Sequence, residues 1–226
     1  VDFASSSLSE DSDSYDVTVK LFHLHPGTPE EREQHTRHAL SLVLQELHVP
    51  SVDLLIVSYP SVYFDEASPD CGMKNPANKP EPLPSLLQSW EAGPQAVAAS
   101  GLVRRIGVSE FGVERLSAFV EAGGPPPAVD QINLRDHCSV PQDLLALSKK
   151  HNVELLVHND CTNILPSGTV RELLGPSGAG VLAGEANPSG LKGDVAPRWV
   201  VKYTAVVRDR GVVENKGYFA LAELRS

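Results

Sequence analysis

Six short segments with the composition of buried β-strands alternate with helix-like segments along most of this chain. The clearest is VDLLIVS, residues 52–58, which is apolar apart from Asp53 and its closing serine and stops abruptly at Ser-Tyr-Pro. Regular alternation of strands and helices predicts an α/β protein with a parallel sheet. In such sheets, chemistry is carried by the residues at the C-terminal ends of the strands. The residues that follow each strand are therefore the first candidates for a functional site.

Local signals place these elements along the chain. Residues 28–31 form a capping box with proline at the first helical position, and leucines at helical spacing extend the predicted helix over 29–48. Apolar residues at similar spacing predict another helix over 199–207. Strands are predicted over residues 17–24, 52–58, 102–109, 128–134, 153–160 and 211–219.

The length of 226 residues suits one domain over 1–226 and is short for two. The acidic, serine-rich residues 1–16 are predicted to be a polar loop, and 61–84 and 175–193 are predicted loop insertions rich in proline, glycine and polar residues. Six strand–helix units fit either an open doubly wound sheet or part of a (β/α)8 barrel. Alternation alone leaves both architectures open.

Composition and charge exclude several classes of function. The net charge is −10 and basic residues occur only in small pairs, which argues against nucleic acid or an anionic membrane as partner. No apolar run approaches the roughly 20 residues of a membrane span. Cys71, Cys138 and Cys161 form no disulfide framework, which favours free thiols in the reducing cytoplasm and leaves an intermolecular disulfide as the alternative. His23 and His25 share one face of a strand without further ligands, so no metal site is predicted.

Five segments that occur in order carry a family resemblance: VKLF, ALSLVLQELHVPSVDLLIVSYP, WEAGPQAVAASGLVRRIGVSEF, VDQINL and WVVKYTAVVRDRGVVENKG. Together they resemble the aldo-keto reductase superfamily, from about residue 17 onward. The most specific piece is GLVRRIGVSEF, where a helix ends in glycine and a strand exits into Gly-Val-Ser. The resemblance implies a (β/α)8 TIM barrel. It places Lys20 at the end of the third strand, so the first two strands are expected upstream.

Two longer stretches resemble a narrower family. DQINLRDHCSVPQDLLALSKKHNVELLVHND and PRWVVKYTAVVRDRGVVENKGYFALAELR are similar to the regulatory subunits of glutamate–cysteine ligase. This resemblance implies a non-catalytic cytoplasmic protein of glutathione biosynthesis. Such a protein forms a heterodimer with the catalytic subunit of the ligase, improves its glutamate affinity and relieves feedback inhibition by glutathione. It implies no cofactor and no ligation by the chain itself.

The superfamily resemblance also assigns a vestigial pocket. Lys20 matches the lysine that lowers the pKa of the catalytic tyrosine, and Ser58 stands where the reductases have a histidine. Serine cannot act as an acid near neutral pH, so no catalytic residue is predicted. Glu110 replaces an asparagine of the nicotinamide site and adds negative charge beside an anionic cofactor. The positions that match the cofactor contacts of the superfamily are Ser109, Gln131, His158 and Lys216.

The alternative function is an NADPH-dependent aldo-keto reductase that acts on carbonyl compounds. Lys20, Gln131 and Lys216 favour this alternative because each retains the residue type of the reductases. A weaker form of it is a chain that has lost catalysis but still binds NADPH.

Overall fold

Five strands form the parallel part of a single sheet. The computed structural model describes residues 8–64, 81–134, 139–161, 164–166, 168–175, 178–184 and 187–225. The parallel strands are β1 Tyr15–His23, β2 Val52–Ser58, β3 Val103–Ser109, β4 Val129–Ile132 and β5 Glu154–Val157. Each pairs with the next in chain order. The predicted α/β class is confirmed, in the form of part of a (β/α)8 barrel.

The C-terminal region forms an antiparallel hairpin of β6 Asp194–Val207 and β7 Val212–Arg225. β6 pairs antiparallel to β1, on the edge beside which the upstream strands were expected. The sheet order is β5-β4-β3-β2-β1-β6-β7. The helix predicted over 199–207 is therefore wrong. Val201, Tyr203 and Ala205 are buried at every second position, which is strand periodicity, and long-range pairing with β1 decides the outcome.

Six α-helices connect the strands within the described residues. They are α1 Pro29–Leu47, α2 Leu83–Trp90, α3 Ala96–Ala99, α4 Val113–Glu121, α5 Gln142–His151 and α6 Thr169–Leu174. A π-helical turn, Glu91–Gln95, joins α2 to α3 and contains Pro94. Proline has no N–H to donate, so the regular helical ladder is interrupted there, as the sequence indicated.

The predicted capping box at the start of α1 is confirmed. The Thr28 hydroxyl accepts from the Glu31 N–H at 3.3 Å, and the Glu31 carboxylate accepts from the Thr28 N–H at 2.9 Å. The helix ends at His48, whose φ of 55° is in the left-handed region. Both ends of α1 thus satisfy backbone groups that a helix terminus otherwise leaves free.

The main core lies between the sheet and the helices. Val19 of β1, Val43 of α1 and Phe111 after β3 are completely buried in it, and Phe111 packs edge-to-face on Phe119 of α4 at 4.8 Å. Within the described residues, the opposite face of the sheet carries a second, smaller apolar cluster of Leu54, Ile56 and Val129. Polar side chains of the strands also lie on that face, and they form the candidate site.

The predicted loops are only partly described. Most of 61–84 lies outside the described residues, since 65–80 are not among them. Within 175–193, Leu182 is buried and bridges to Leu191, so part of this insertion is locally paired. The acidic segment 1–16 passes into β1 two residues earlier than predicted. Among the residues described here, no helix has the length and apolarity needed to cross a membrane. A single domain over 1–226 stays a prediction.

Candidate functional site

A cavity of about 360 Å³ lies on the face of the sheet opposite the main core. Strands β1, β2, β4 and β6 contribute its walls, together with the residues that follow β5. Its main polar lining residues are Thr18, Lys20, Gln131, His158, Asp160 and Lys202. The volume is at the lower end of the range found for small-molecule sites.

One carboxylate joins two opposite parts of this wall. Asp160, three residues beyond β5, accepts from Lys20 Nζ of β1 at 2.9 Å and from Lys202 Nζ of β6 at 2.7 Å. Four strands separate β5 from β6 in the sheet order. The sheet must therefore curl for a single side chain to reach both. We call Lys20, Asp160 and Lys202 the Asp160 clamp.

His158 links the clamp to the end of β3. The Asp160 N–H donates to His158 Nδ1 at 3.2 Å, so in the neutral ring the proton is on Nε2, which faces the Glu110 carboxylate in a short hydrogen bond. The second oxygen of Glu110 accepts from the Phe64 N–H at 2.9 Å. The side chains of His158 and Asp160 are each 9% exposed. The exits of β2, β3 and β5 are thereby held by one polar network.

The pKa shifts follow from burial and pairing. Burial acts to raise the pKa of Asp160, but its interactions with protonated His158, whose Nδ1 lies 3.3 Å from Asp160 Oδ2, and with Lys20 and Lys202 outweigh it and leave that pKa far below its usual range. Burial lowers the pKa of Lys20, and Asp160 opposes this only in part. Among the described residues, Asp160 has three charged partners, whereas Lys20 has one hydrogen-bond partner and lies 5.0 Å from the centroid of the Phe22 ring. Hydrogen bonds to Asp160 and Glu110 overcome the opposing effect of burial and raise the pKa of His158.

The turn after β3 holds Glu110 in an unusual backbone conformation. Glu110 has a φ of 68°, in the left-handed region that asparagine tolerates better than glutamate. Its N–H donates to the Gln131 carbonyl at 3.0 Å. The next N–H, of Phe111, donates to Asp130 at 3.3 Å. Asp130 is completely buried, and burial raises its pKa well above the usual value. Strained backbone of this kind is found most often at functional sites.

Three of the six predicted site residues meet at the cavity. Lys20, Gln131 and His158 all line it. They can meet there because the C-terminal ends of parallel strands lie at the same edge of a sheet. The other three do not line it. Ser58 is half-buried at the end of β2, Ser109 is buried with its hydroxyl donating to the Gln131 carbonyl at 2.9 Å, and Lys216 is exposed on β7.

Sequence reasoning missed three lining residues. Lys202 and Thr204 were assigned to a helix, and Thr18 received no role, although it alternates with Lys20 on β1. Asp160 was placed only at the end of the strand predicted over 153–160, which in the structure ends at Val157. The alternating pattern of residues 201–205 was the available signal for β6, but only pairing with β1 places Lys202 beside Asp160.

The cavity lining shows which chemical groups are present among the described residues. No tyrosine lines the cavity in the described part of the chain. Tyr218 of β7 pairs with Lys202 across the hairpin, but its side chain is 59% exposed. Within the same described ranges, no group of three or more histidine, cysteine, aspartate or glutamate side chains is placed to hold a metal ion. The charged groups of the network are instead engaged with one another.

Comparison with known proteins defines the family. The model of the aldo/keto reductase family matches residues 3–168. The chain belongs to this family, which agrees with its parallel β/α units. Aldose reductase from Giardia lamblia is a structural neighbour, with a TM-score of 0.45 and 22% identity over 63% of this chain and 45% of that one.

Within the family, the chain is similar to glutamate–cysteine ligase regulatory subunits. The human protein of that name is 26% identical over 92% of this chain, and the relative from Schizosaccharomyces pombe is 26% identical over 91%. The chain spans 66% of the length of the human relative and 70% of the yeast one. The predicted resemblance is therefore confirmed over nearly the whole chain.

Proposed function

We propose that this chain acts as a non-catalytic regulatory subunit of glutamate–cysteine ligase in the cytoplasm. It binds the catalytic subunit as a heterodimer, increases its apparent affinity for glutamate and relieves its inhibition by glutathione. The observation that carries the proposal is the similarity to named regulatory subunits over 92% of the chain. The match to the aldo/keto reductase family model ends at residue 168, whereas the similarity to regulatory subunits covers 92% of the chain.

The site supports the same proposal. Ser58 stands at the position of the reductase histidine, and the side chain that faces His158 is a carboxylate of the chain itself. Lys20 is engaged by Asp160. A lysine that assists a tyrosine acid needs that tyrosine beside it, and none lines the described cavity. Within the described residues, the scaffold of a reductase thus retains Lys20 but has Ser58 in place of the histidine and no tyrosine at the cavity.

The mechanism of regulation is differential binding. A subunit without chemistry of its own changes the glutamate affinity of its partner only by binding one conformation of the partner more tightly than another. The coupling is reciprocal, so glutamate must strengthen the association of the two subunits by the same factor that the subunit strengthens glutamate binding. Allosteric couplings of this kind are typically about 5- to 150-fold.

Titration of the purified chain into the catalytic subunit tests this function. We expect the apparent glutamate affinity to rise by at least about fivefold at saturation, and the chain to co-elute with the catalytic subunit in gel filtration. In the control, the chain is thermally unfolded before it is titrated into the folded catalytic subunit. An unchanged glutamate affinity at saturating chain contradicts the proposal.

A second assay separates regulation from reduction. We expect no oxidation of NADPH by aldehydes in the presence of the chain, and weak or no cofactor binding, because the resemblance to the reductases implies that the Glu110 carboxylate adds negative charge beside an anionic cofactor. Glu110→Asn removes that charge and suits the positive φ, so it is expected to strengthen NADPH binding measured by fluorescence. Glu114→Gln, an exposed change on α4, is the matched control. Catalysed turnover by the unmodified chain contradicts the non-catalytic assignment.

A further inference from the structure

Two ammonium groups at the cavity have unused hydrogen-bond donors. A lysine ammonium has three N–H groups. Within the described residues, Lys20 and Lys202 each donate one side-chain hydrogen bond, in both cases to Asp160. Lys20 is only 4% exposed, so its remaining donors are largely removed from bulk water. Buried donors without partners are costly, and the cavity beside them has room for a ligand that satisfies them.

The cavity also contains a hydrogen-bond acceptor without a partner. Gln131 Oε1 is buried and has no hydrogen-bond partner among the described residues, and Gln131 lines the same cavity. Thr18 and Thr204, from β1 and β6, add hydroxyl groups to the wall. The cavity therefore presents cationic donors on one side, an amide oxygen, and hydroxyl groups that serve as donor or acceptor.

We propose that this cavity binds a small organic carboxylate that carries an adjacent hydroxyl or ammonium group. The carboxylate accepts from Lys20 and Lys202, and the adjacent donor group bonds to Gln131 Oε1. Because one Asp160 carboxylate already bridges both lysines, a single ligand carboxylate can also contact both. Lys202 and Thr204 come from the antiparallel hairpin, so the site depends on β6 as well as on the parallel strands. The inference is independent of the proposed regulatory role.

Charge balance favours an anion over a neutral ligand. Lys20 and Lys202 are balanced by the carboxylates of Asp160 and Glu110. Protonation of His158 adds one positive charge to this set, and a bound carboxylate compensates for it. The groups that face His158 are Glu110, Asp160 and Lys20. Binding should therefore be tighter at pH 6 than at pH 8, since His158 loses its proton as pH rises through its raised pKa.

Calorimetric titration with L-malate tests the site, with succinate and chloride as comparison ligands. We expect malate to bind in the millimolar range or tighter and to bind better than succinate, which lacks only the adjacent hydroxyl. Lys20→Met and Lys202→Met should each weaken malate binding by about tenfold, since each removes a charge-assisted hydrogen bond. Lys150→Met, an exposed change at the end of α5, should leave the affinity unchanged.

The outcomes are distinct. If Lys20→Met does not fold, the Lys202→Met variant tests the proposal. It is expected to fold, because the Lys202 side chain is 37% exposed and its loss leaves Lys20 paired with Asp160. Absence of malate binding to the unmodified chain overturns the proposal, and so does equal binding by Lys202→Met and Lys150→Met. Binding of chloride but not of malate also overturns it, because the site then accepts only a small inorganic ion.

Discussion

Replacing Asp160 with asparagine is expected to lower the free energy of unfolding by about 3 kcal/mol. The substitution keeps the size of the side chain but removes the charge that holds Lys20 and Lys202. The Lys202 side chain is partly exposed and can turn to solvent, whereas Lys20 remains buried without the carboxylate to which it is hydrogen-bonded. Removing one partner of a buried ion pair typically costs about 3–5 kcal/mol. Urea unfolding followed by circular dichroism measures the change.

A double-mutant cycle identifies the cause. Lys20→Met in the Asp160→Asn background removes the unpaired charge, so the double variant should recover at least about 1 kcal/mol relative to Asp160→Asn alone. Asp209→Asn, in the exposed turn between β6 and β7, is the matched control and should change stability by less than about 0.5 kcal/mol. Additive losses in the double variant contradict the ion-pair explanation.

The ion pair between Asp160 and Lys20 predicts that the free energy of unfolding depends on pH. The folded state depresses the pKa of Asp160, so its contribution is fully present above the unfolded value of about 3.9 and is lost as pH falls below it. The stability difference between the unmodified chain and Asp160→Asn should therefore be largest near neutral pH and shrink in acid. A difference that is constant from neutral pH to acid argues against an ionised Asp160.

The second large effect is expected at Trp199. Its side chain is completely buried, and its ring packs edge-on against His38 of α1 with centroids 5.5 Å apart. Trp199 also pairs with His23 of β1 and Leu221 of β7, so it lies where helix, parallel sheet and hairpin meet. Trp199→Ala should cost about 3–5 kcal/mol, through lost apolar burial and the cavity left behind.

The control for Trp199 lies on the same hairpin. Val213→Ala changes an exposed side chain of β7 and should alter the unfolding free energy by less than about 0.5 kcal/mol. Urea unfolding of both variants gives the comparison. Similar small losses in both would show that the hairpin contributes little to the folded core.

The parallel part of the fold was predictable because its signals are local. The capping box fixed the start of α1, and the apolar run 52–58 coincides with β2. The hairpin was not predictable in the same way. Trp199, Tyr203 and Val207 are four residues apart, which also fits a helical face, and helix and strand patterns overlap in short apolar runs. Pairing with β1, more than 170 positions away in the chain, resolved the ambiguity.

The candidate site was predictable to the extent that it follows strand order. Lys20, Gln131 and His158 come from strands or strand exits whose register can be anticipated in a parallel sheet. Lys202 enters from the antiparallel strand that was not anticipated, so the clamp could not be derived from the sequence. The αL conformation of Glu110 was also missed, since glutamate gives no local signal for a positive φ.

The Asp160 clamp has a mechanical consequence. An open sheet with two edge strands can flex about its long axis, but here one carboxylate ties the exit of β5 to β1 and β6. The curvature of the sheet therefore depends on an electrostatic tether and not only on backbone pairing. A substitution that shortens or neutralises Asp160, or a ligand that competes for its two lysines, is expected to change the curvature of the sheet. The distance between the strand exits and the hairpin then changes as well.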